Sequence, residues 1–123
     1  MATILVVDDE QDVADAVKLV LQNDGYFVLV AKDMASARDI LSTGEVDACV
    51  LDVWIDGDTG LDLATEISRD AEPVPFVMMS GGGPGRSLES ATAKADALGA
   101  AEVLFKPFDD DELLAAVKKA LGK

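Results

Sequence analysis

The stretch Val46-Asp47-Ala48-Cys49-Val50-Leu51, with Asp52 directly behind it, decides the fold. Apart from Asp47 it is a short, continuous apolar run, the pattern of a strand covered on both faces rather than one. Such a strand requires helices above and below its sheet. Working back toward the N-terminus, Asp33 to Ser42 is a short helix carrying Ala37, Ile40 and Leu41 on one side, closed by Gly44. Tyr26 to Ala31 reads as a strand. From Asp12 to Asn23, the residues Val13, Ala16, Val17, Val20 and Leu21 recur at helical spacing, with Gly25 as a stop. Thr3 to Val7 is a further buried strand, halted by Asp8-Asp9-Glu10.

Working forward, the turn formers Asp56-Gly57-Asp58-Thr59-Gly60 predict a loop, and a helix follows from about Leu61 to Arg69. Val74 to Met79 is a strand with Pro75 near its start, where a missing N–H matters least. Ser80 ends it, and Gly81-Gly82-Gly83-Pro84-Gly85 breaks the chain. An alanine-rich helix is expected from Ser87 to Leu98, stopped by Gly99. Glu102 to Phe105 is a short fifth strand. Asp109-Asp110-Asp111 opens a last helix ending near Leu121, with Lys118 and Lys119 suited to its negative end. Five strand–helix units in alternation mean an α/β fold, a parallel sheet with helices on both faces. At 123 residues the chain is one domain, residues 1–123, without linker or repeat.

Composition narrows the chemistry. The net charge of −14 argues against nucleic acid as a direct partner, since that affinity comes from clustered Lys and Arg. It suits a partner with a basic surface, or a cation among the carboxylates. With no histidine in the sequence, Ser-His and Cys-His catalysis, histidine metal sites and phosphohistidine on this chain are excluded. The lone Cys49 sits in an apolar run and reads as a buried structural thiol. No apolar run approaches membrane-spanning length, which makes the cytoplasm the expected location.

In an open parallel sheet, ligands bind beyond the carboxyl ends of the strands, where the strand order reverses. Asp8-Asp9, Asp52, Ser80 and Lys106-Pro107 all stand at such ends. Singly, each has an ordinary reading: a helix cap for Asp8, a turn residue for Ser80, a surface lysine for Lys106. Together they place carboxylates, a hydroxyl and an ammonium on one rim. An all-oxygen site of this kind suits Mg²⁺, and metal and lysine can share the charge of a phosphoryl group in transfer. The glycine-rich stretch fails the phosphate-loop pattern, because Arg86 rather than lysine follows Gly85. It reads instead as a loop that adjusts when Ser80 moves, with Gly81 leaving the approach to Asp52 open.

The segments Val6-Val7-Asp8-Asp9-Glu10, Val50-Leu51-Asp52-Val53, Met79-Ser80-Gly81 and Phe105-Lys106-Pro107-Phe108 resemble the receiver domain of two-component response regulators. The match runs the length of the chain, in order. The resemblance implies a flavodoxin-like (βα)₅ fold with strand order 2-1-3-4-5. It implies that Asp52 accepts phosphate from a histidine on a sensor kinase or histidine phosphotransfer protein. Asp9, Asp52 and the carbonyl of Trp54 would bind Mg²⁺ directly, with Asp8 acting through water. Ser80 and Lys106 would hold the phosphoryl oxygens, and the Lys106–Pro107 bond would be cis. The protein would be no enzyme beyond catalysing its own phosphorylation and dephosphorylation.

Three positions depart from the family pattern. Val103 stands where receivers commonly carry an aromatic that follows the hydroxyl residue inward, and Phe105 is expected to face a different way. Asp56 replaces a common proline. Trp54, two residues past Asp52, has two readings: it shields the acyl phosphate from water, or it lies outward as a partner contact or surface residue. Output would come from protein binding through the face of the fourth helix, fifth strand and last helix, around Ser80, Val103 and Phe105, in a monomer or weak dimer. A complete stand-alone receiver is the leading expectation. The alternatives are a receiver from a longer regulator or hybrid kinase, a receiver-like module that is never phosphorylated, and a flavin carrier or Mg²⁺-dependent phosphatase on the same fold. A flavin carrier would need a hydroxyl- and glycine-rich loop where this chain has three acids.

Overall fold

A computed structural model describes residues 1–55, 58–70, 72–81 and 97–122, with 54, 55, 58 and 59 in backbone only. Strand β1 (Thr3–Val7) leads into helix α1 (Gln11–Asn23), then β2 (Phe27–Ala31), α2 (Met34–Leu41) and β3 (Ala48–Asp52). Two short strands, β4 (Trp54–Ile55) and β5 (Asp58–Thr59), precede α3 (Gly60–Ser68). Strands β6 (Phe76–Ser80) and β7 (Glu102–Phe105) and helix α4 (Asp110–Ala120) complete the described elements.

The main sheet has five strands in the order β2-β1-β3-β6-β7, every neighbouring pair parallel. With the β4–β5 ribbon set aside, this is the expected 2-1-3-4-5 order. The apolar strands are continuous because each one feeds two cores. On one face Leu5, Val7, Cys49, Leu51 and Met78 meet Ala37 of α2 and Leu63, Ala64 and Ile67 of α3. On the other, Ile4, Val6, Val50, Val77 and Met79 meet Val17 and Leu21 of α1 and Leu113 and Val117 of α4. Burying a side chain of this size is worth about 1.5–3 kcal/mol, so the sheet centre dominates the stability.

Local chemistry sets the helix ends. The Asp33 carboxylate accepts the Ser36 N–H at 2.7 Å, and that of Asp109 accepts the Glu112 N–H at 2.8 Å. Each satisfies a first-turn donor that the helix itself leaves unpaired.

Three expectations need correction. Strand β3 starts at Ala48 rather than Val46, because Asp47 turns its side chain to the start of β1, where Oδ2 accepts the Thr3 N–H at 2.7 Å. Strand β6 starts at Phe76 rather than Val74, since Pro73 and Pro75 have no N–H to lend a ladder; only the Pro75 carbonyl joins, accepting the Cys49 N–H at 3.0 Å. The segment after β3 is not wholly a loop, as Trp54 pairs with Thr59 and Ile55 with Asp58 in an antiparallel ribbon. The helix expected from Ser87 to Leu98 lies outside the described residues apart from its end, where Ala97 is helical and Gly99 has φ 91°. Gly82, Gly83, Pro84, Gly85, Arg86 and Asp56 lie outside them too.

Candidate functional site

Four chain segments reach one edge of the sheet. Asp8 directly follows β1, its N–H continuing the ladder onto the Ala31 carbonyl at 3.1 Å. Asp52 and Ser80 are the last residues of β3 and β6, and Lys106 directly follows β7. Asp8, Asp52 and Ser80 are almost wholly buried, at 0, 3 and 1 % exposure. They are the only buried polar or charged residues among those described. Burial of that kind demands partners, because an unpaired buried charge is expensive.

Lys106 supplies them. Its Nζ stands 3.1 Å from Asp8 Oδ2 and 3.3 Å from Asp52 Oδ2, bridging the two acids. The main chain holds the lysine in place, since its N–H donates to the Ser80 carbonyl at 2.9 Å. The Lys106–Pro107 bond is cis, as expected. Gly81 packs against the lysine stem, where a Cβ would lie 3.4 Å from Lys106 Cδ, an ordinary contact distance. Burial pulls the ammonium's pKa down more than any other single influence, but Asp52 and Asp8 together outweigh it and the pKa is raised. Lys106 is therefore a fixed positive charge at neutral pH.

The other oxygen of Asp8, Oδ1, accepts the Glu10 N–H at 2.9 Å. Asp9 and Glu10 are exposed, and each offers a carboxylate oxygen that lies within 4.8 Å of those of Asp8 and Asp52. Sequence reasoning named Asp8, Asp9 and Asp52 but left out Glu10. The signal was there, as Glu10 is the third acid in the run after β1. The Ser80 hydroxyl oxygen is buried with no hydrogen-bond partner among the described residues. A buried hydroxyl without a partner is unusual, and this one stands at the same sheet edge as Asp8 and Asp52, with a proton free to donate. Hard oxygen donors plus this spare hydroxyl fit a hard divalent cation and an oxyanion side by side.

Two expectations meet the structure differently. Phe105 was expected to face another way from Val103, but the two-residue period of a strand puts both on one face, with Leu104 on the other. Val103 packs against the core shared with α2 and α3, Leu104 enters the core shared with α1 and α4, and Phe105, opposite Ser80 in register, is 46 % exposed. Burial distinguishes Phe105 from Val103; direction does not. The backbone of Trp54 lies in the ribbon just past Asp52, while its side chain, and with it the shielding idea, lies outside the described residues. A groove of about 560 Å³ between α1 and α4, lined by Val13, Ala16, Val20 and Phe108, opens at Gly81 and Lys106. No motif announced it, because it arises from two helices distant in sequence.

Comparison with known proteins agrees with this geometry. The family model described as response regulator receiver domain matches residues 4–118. The regulatory protein VanR of Enterococcus faecium is 34 % identical over 120 residues, covering 98 % of this chain and 50 % of that protein. The nitrogen assimilation regulatory protein NtrX of Azorhizobium caulinodans is 36 % identical over 120 residues, covering 96 % of this chain and 26 % of that protein. The chain thus spans half or less of the length of these relatives. The crystal structure of the receiver domain of NtrX from Brucella abortus superposes with a TM-score of 0.87 at 34 % identity, covering 98 % of both chains. With the family model matching residues 4–118 and the fold in agreement with a solved receiver domain, the chain belongs to the response regulator receiver domain family.

Proposed function

We propose that this domain is a phosphorylation-dependent signalling switch or phosphorelay intermediate in which Asp52 accepts a phosphoryl group from a phosphohistidine. The observation that carries the reading is Lys106 Nζ set between Asp8 and Asp52, with the Ser80 hydroxyl, unpartnered among the described residues, at the neighbouring strand end. An Asp52 carboxylate oxygen attacks phosphorus, the bond from phosphorus to the donor's imidazole nitrogen breaks, and the electron pair leaves with that nitrogen. Lys106 and Ser80 hold two of the phosphoryl oxygens, the first by charge and the second by donating its hydroxyl proton. Asp9, Asp52 and the Trp54 carbonyl would hold Mg²⁺, with Asp8 acting through water. When bound, the ion neutralises charge on the carboxylates and the incoming phosphoryl group. The domain acts on itself alone and is no enzyme in the usual sense.

The donor is a sensor histidine kinase or a histidine phosphotransfer protein. Its helix would seat in the apolar groove of α1 and α4, which opens at Lys106 and carries Asp12 and Asp110 on its rim. Output runs through protein binding at β7 and α4, where Ser80 and Lys106 share a main-chain hydrogen bond next to Val103 and the exposed Phe105. No helix among the described residues is long and apolar enough to cross a membrane. Incubation with acetyl phosphate and Mg²⁺, followed by intact mass, tests the reading. The wild type gains one phosphoryl mass and Asp52→Asn gains none; equal gain in both would overturn the assignment of Asp52.

A further inference from the structure

Strand β2 lies at one margin of the sheet, whose order is β2-β1-β3-β6-β7. The Phe27 N–H bonds the Ala2 carbonyl, and the Ala31 carbonyl accepts the Asp8 N–H. Alternate residues Phe27, Leu29 and Ala31 therefore turn their main chain to β1. Val28 and Val30 turn theirs outward, where those groups bond nothing among the described residues. Natural edge strands are usually blunted by a charge, a proline or a bulge. Phe27-Val28-Leu29-Val30-Ala31 has none of these, and its register on β1 is unbroken. Phe27 is 52 % exposed, on the same side of the sheet as Leu29, which packs only partly against the core of α2 and α3.

We propose that this edge pairs with the same edge of a second copy of the chain, antiparallel and centred on Leu29. Backbone chemistry selects the occupant. A row of outward donors and acceptors is complemented by another strand, and a two-fold axis makes the edge its own complement. With Leu29 opposite the partner's Leu29, Val28 stands opposite the partner's Val30, and every outward N–H and C=O of the two valines is used. The same register lays Phe27 beside the partner's Ala31, small enough to leave room for the ring. Charge agrees at both ends of the interface. Exposed Lys32 follows the strand and exposed Asp24 precedes it, and neither has an ion pair among the described residues. Antiparallel pairing brings Lys32 toward the partner's Asp24. Asp33 opposes this little, since its carboxylate is bonded to Ser36 of its own helix. The net charge of −14 resists association at long range, and salt screens it. The pairing leaves β7 and Phe105, at the opposite margin, uncovered.

Sedimentation equilibrium of the whole chain tests this. The wild type should dimerise with a Kd below about 1 mM that falls as NaCl is raised. Phe27→Lys should raise the Kd about tenfold, the scale of a lost aromatic anchor, although it reduces the net negative charge that opposes association. Leu19→Lys makes the same charge change at another exposed residue, on α1, and should alter the Kd by less than about twofold. The register has its own readout. Cα atoms of a non-hydrogen-bonded antiparallel pair stand about 4.5 Å apart, within disulfide range, so Leu29→Cys should crosslink to itself under mild oxidation about tenfold faster than Leu19→Cys. The native Cys49 is buried and takes no part. Should Leu29→Cys fail to fold, the two lysine variants still decide the question. A wild type that stays monomeric at about 1 mM, Phe27→Lys no weaker than Leu19→Lys, or equal crosslinking of the two folded cysteine variants would each overturn the pairing.

Discussion

Lys106 Nζ lies 3.3 Å from Asp52 Oδ2 and its main-chain N–H bonds the carbonyl of Ser80, so one residue joins the acceptor carboxylate to the neighbouring strand end. The ammonium compensates charge between two buried acids. On the proposed function it would both aid phosphoryl binding and compete with the metal.

Lys106→Met should separate those two effects. Loss of the ammonium should slow phosphorylation of Asp52 by about 100-fold, the scale of one lost electrostatic stabiliser. Mg²⁺ should bind several-fold more tightly, because no internal cation then neutralises Asp8 and Asp52. Phosphorylation rates by intact mass and Mg²⁺ titration check the two halves; weaker Mg²⁺ binding would show that the lysine does not compete.

Ser80→Ala should uncouple stability from function. The hydroxyl is buried without a partner among the described residues, so removing it should leave stability unchanged or raise it by up to about 1 kcal/mol. Phosphoryl transfer to Asp52 should fall nonetheless. Urea unfolding and transfer rates provide the comparison, and a clear loss of stability would mean that the hydroxyl has a structural bond.

Cys49 should be silent in the folded protein. It is wholly buried in β3, and burial pushes its thiol up to about 12 from an ordinary value near 9. The unfolded chain therefore sheds the proton first, and Cys49 lowers stability only as pH climbs from about 9 toward about 12. At about pH 8 iodoacetamide should label it only through unfolding, at a rate that rises with urea. Fast labelling in native buffer would contradict the burial.

The fork of Arg38 on Glu66, closing at 2.8 Å between α2 and α3, should matter little. Both side chains are about half exposed, so Arg38→Ala should cost less than about 1 kcal/mol and still less in high salt. The Arg38 hydrogen bond lowers the Glu66 pKa, so this small contribution exists above the ordinary carboxylate range and fades as pH falls through the lowered value. Thermal unfolding of the two proteins at neutral pH and near pH 3 would show it (about 3, below the usual Glu value).

Much of this fold was legible because burial leaves a period. Strand β7 was read to the residue, and Asp109 with Lys118 and Lys119 marked both ends of α4. Boundaries slipped where a side chain or an imino group took over from the pattern: Asp47 bonding β1, and Pro73 and Pro75 delaying β6. Period alone should also have kept Val103 and Phe105 on one face.

The run from Val46 to Asp52 was enough to require a doubly covered parallel sheet, since an apolar strand without alternation has no solvent face. The acids, Ser80 and Lys106 at strand ends were likewise written in the chain, because the carboxyl edge of such a sheet collects them. Three-dimensional packing decided the rest. Only the fold sets Lys106 between Asp8 and Asp52 from the far end of the chain and leaves the Ser80 hydroxyl unpartnered among the described residues. Those are distances across strands far apart in sequence, and a linear pattern carries no information about them.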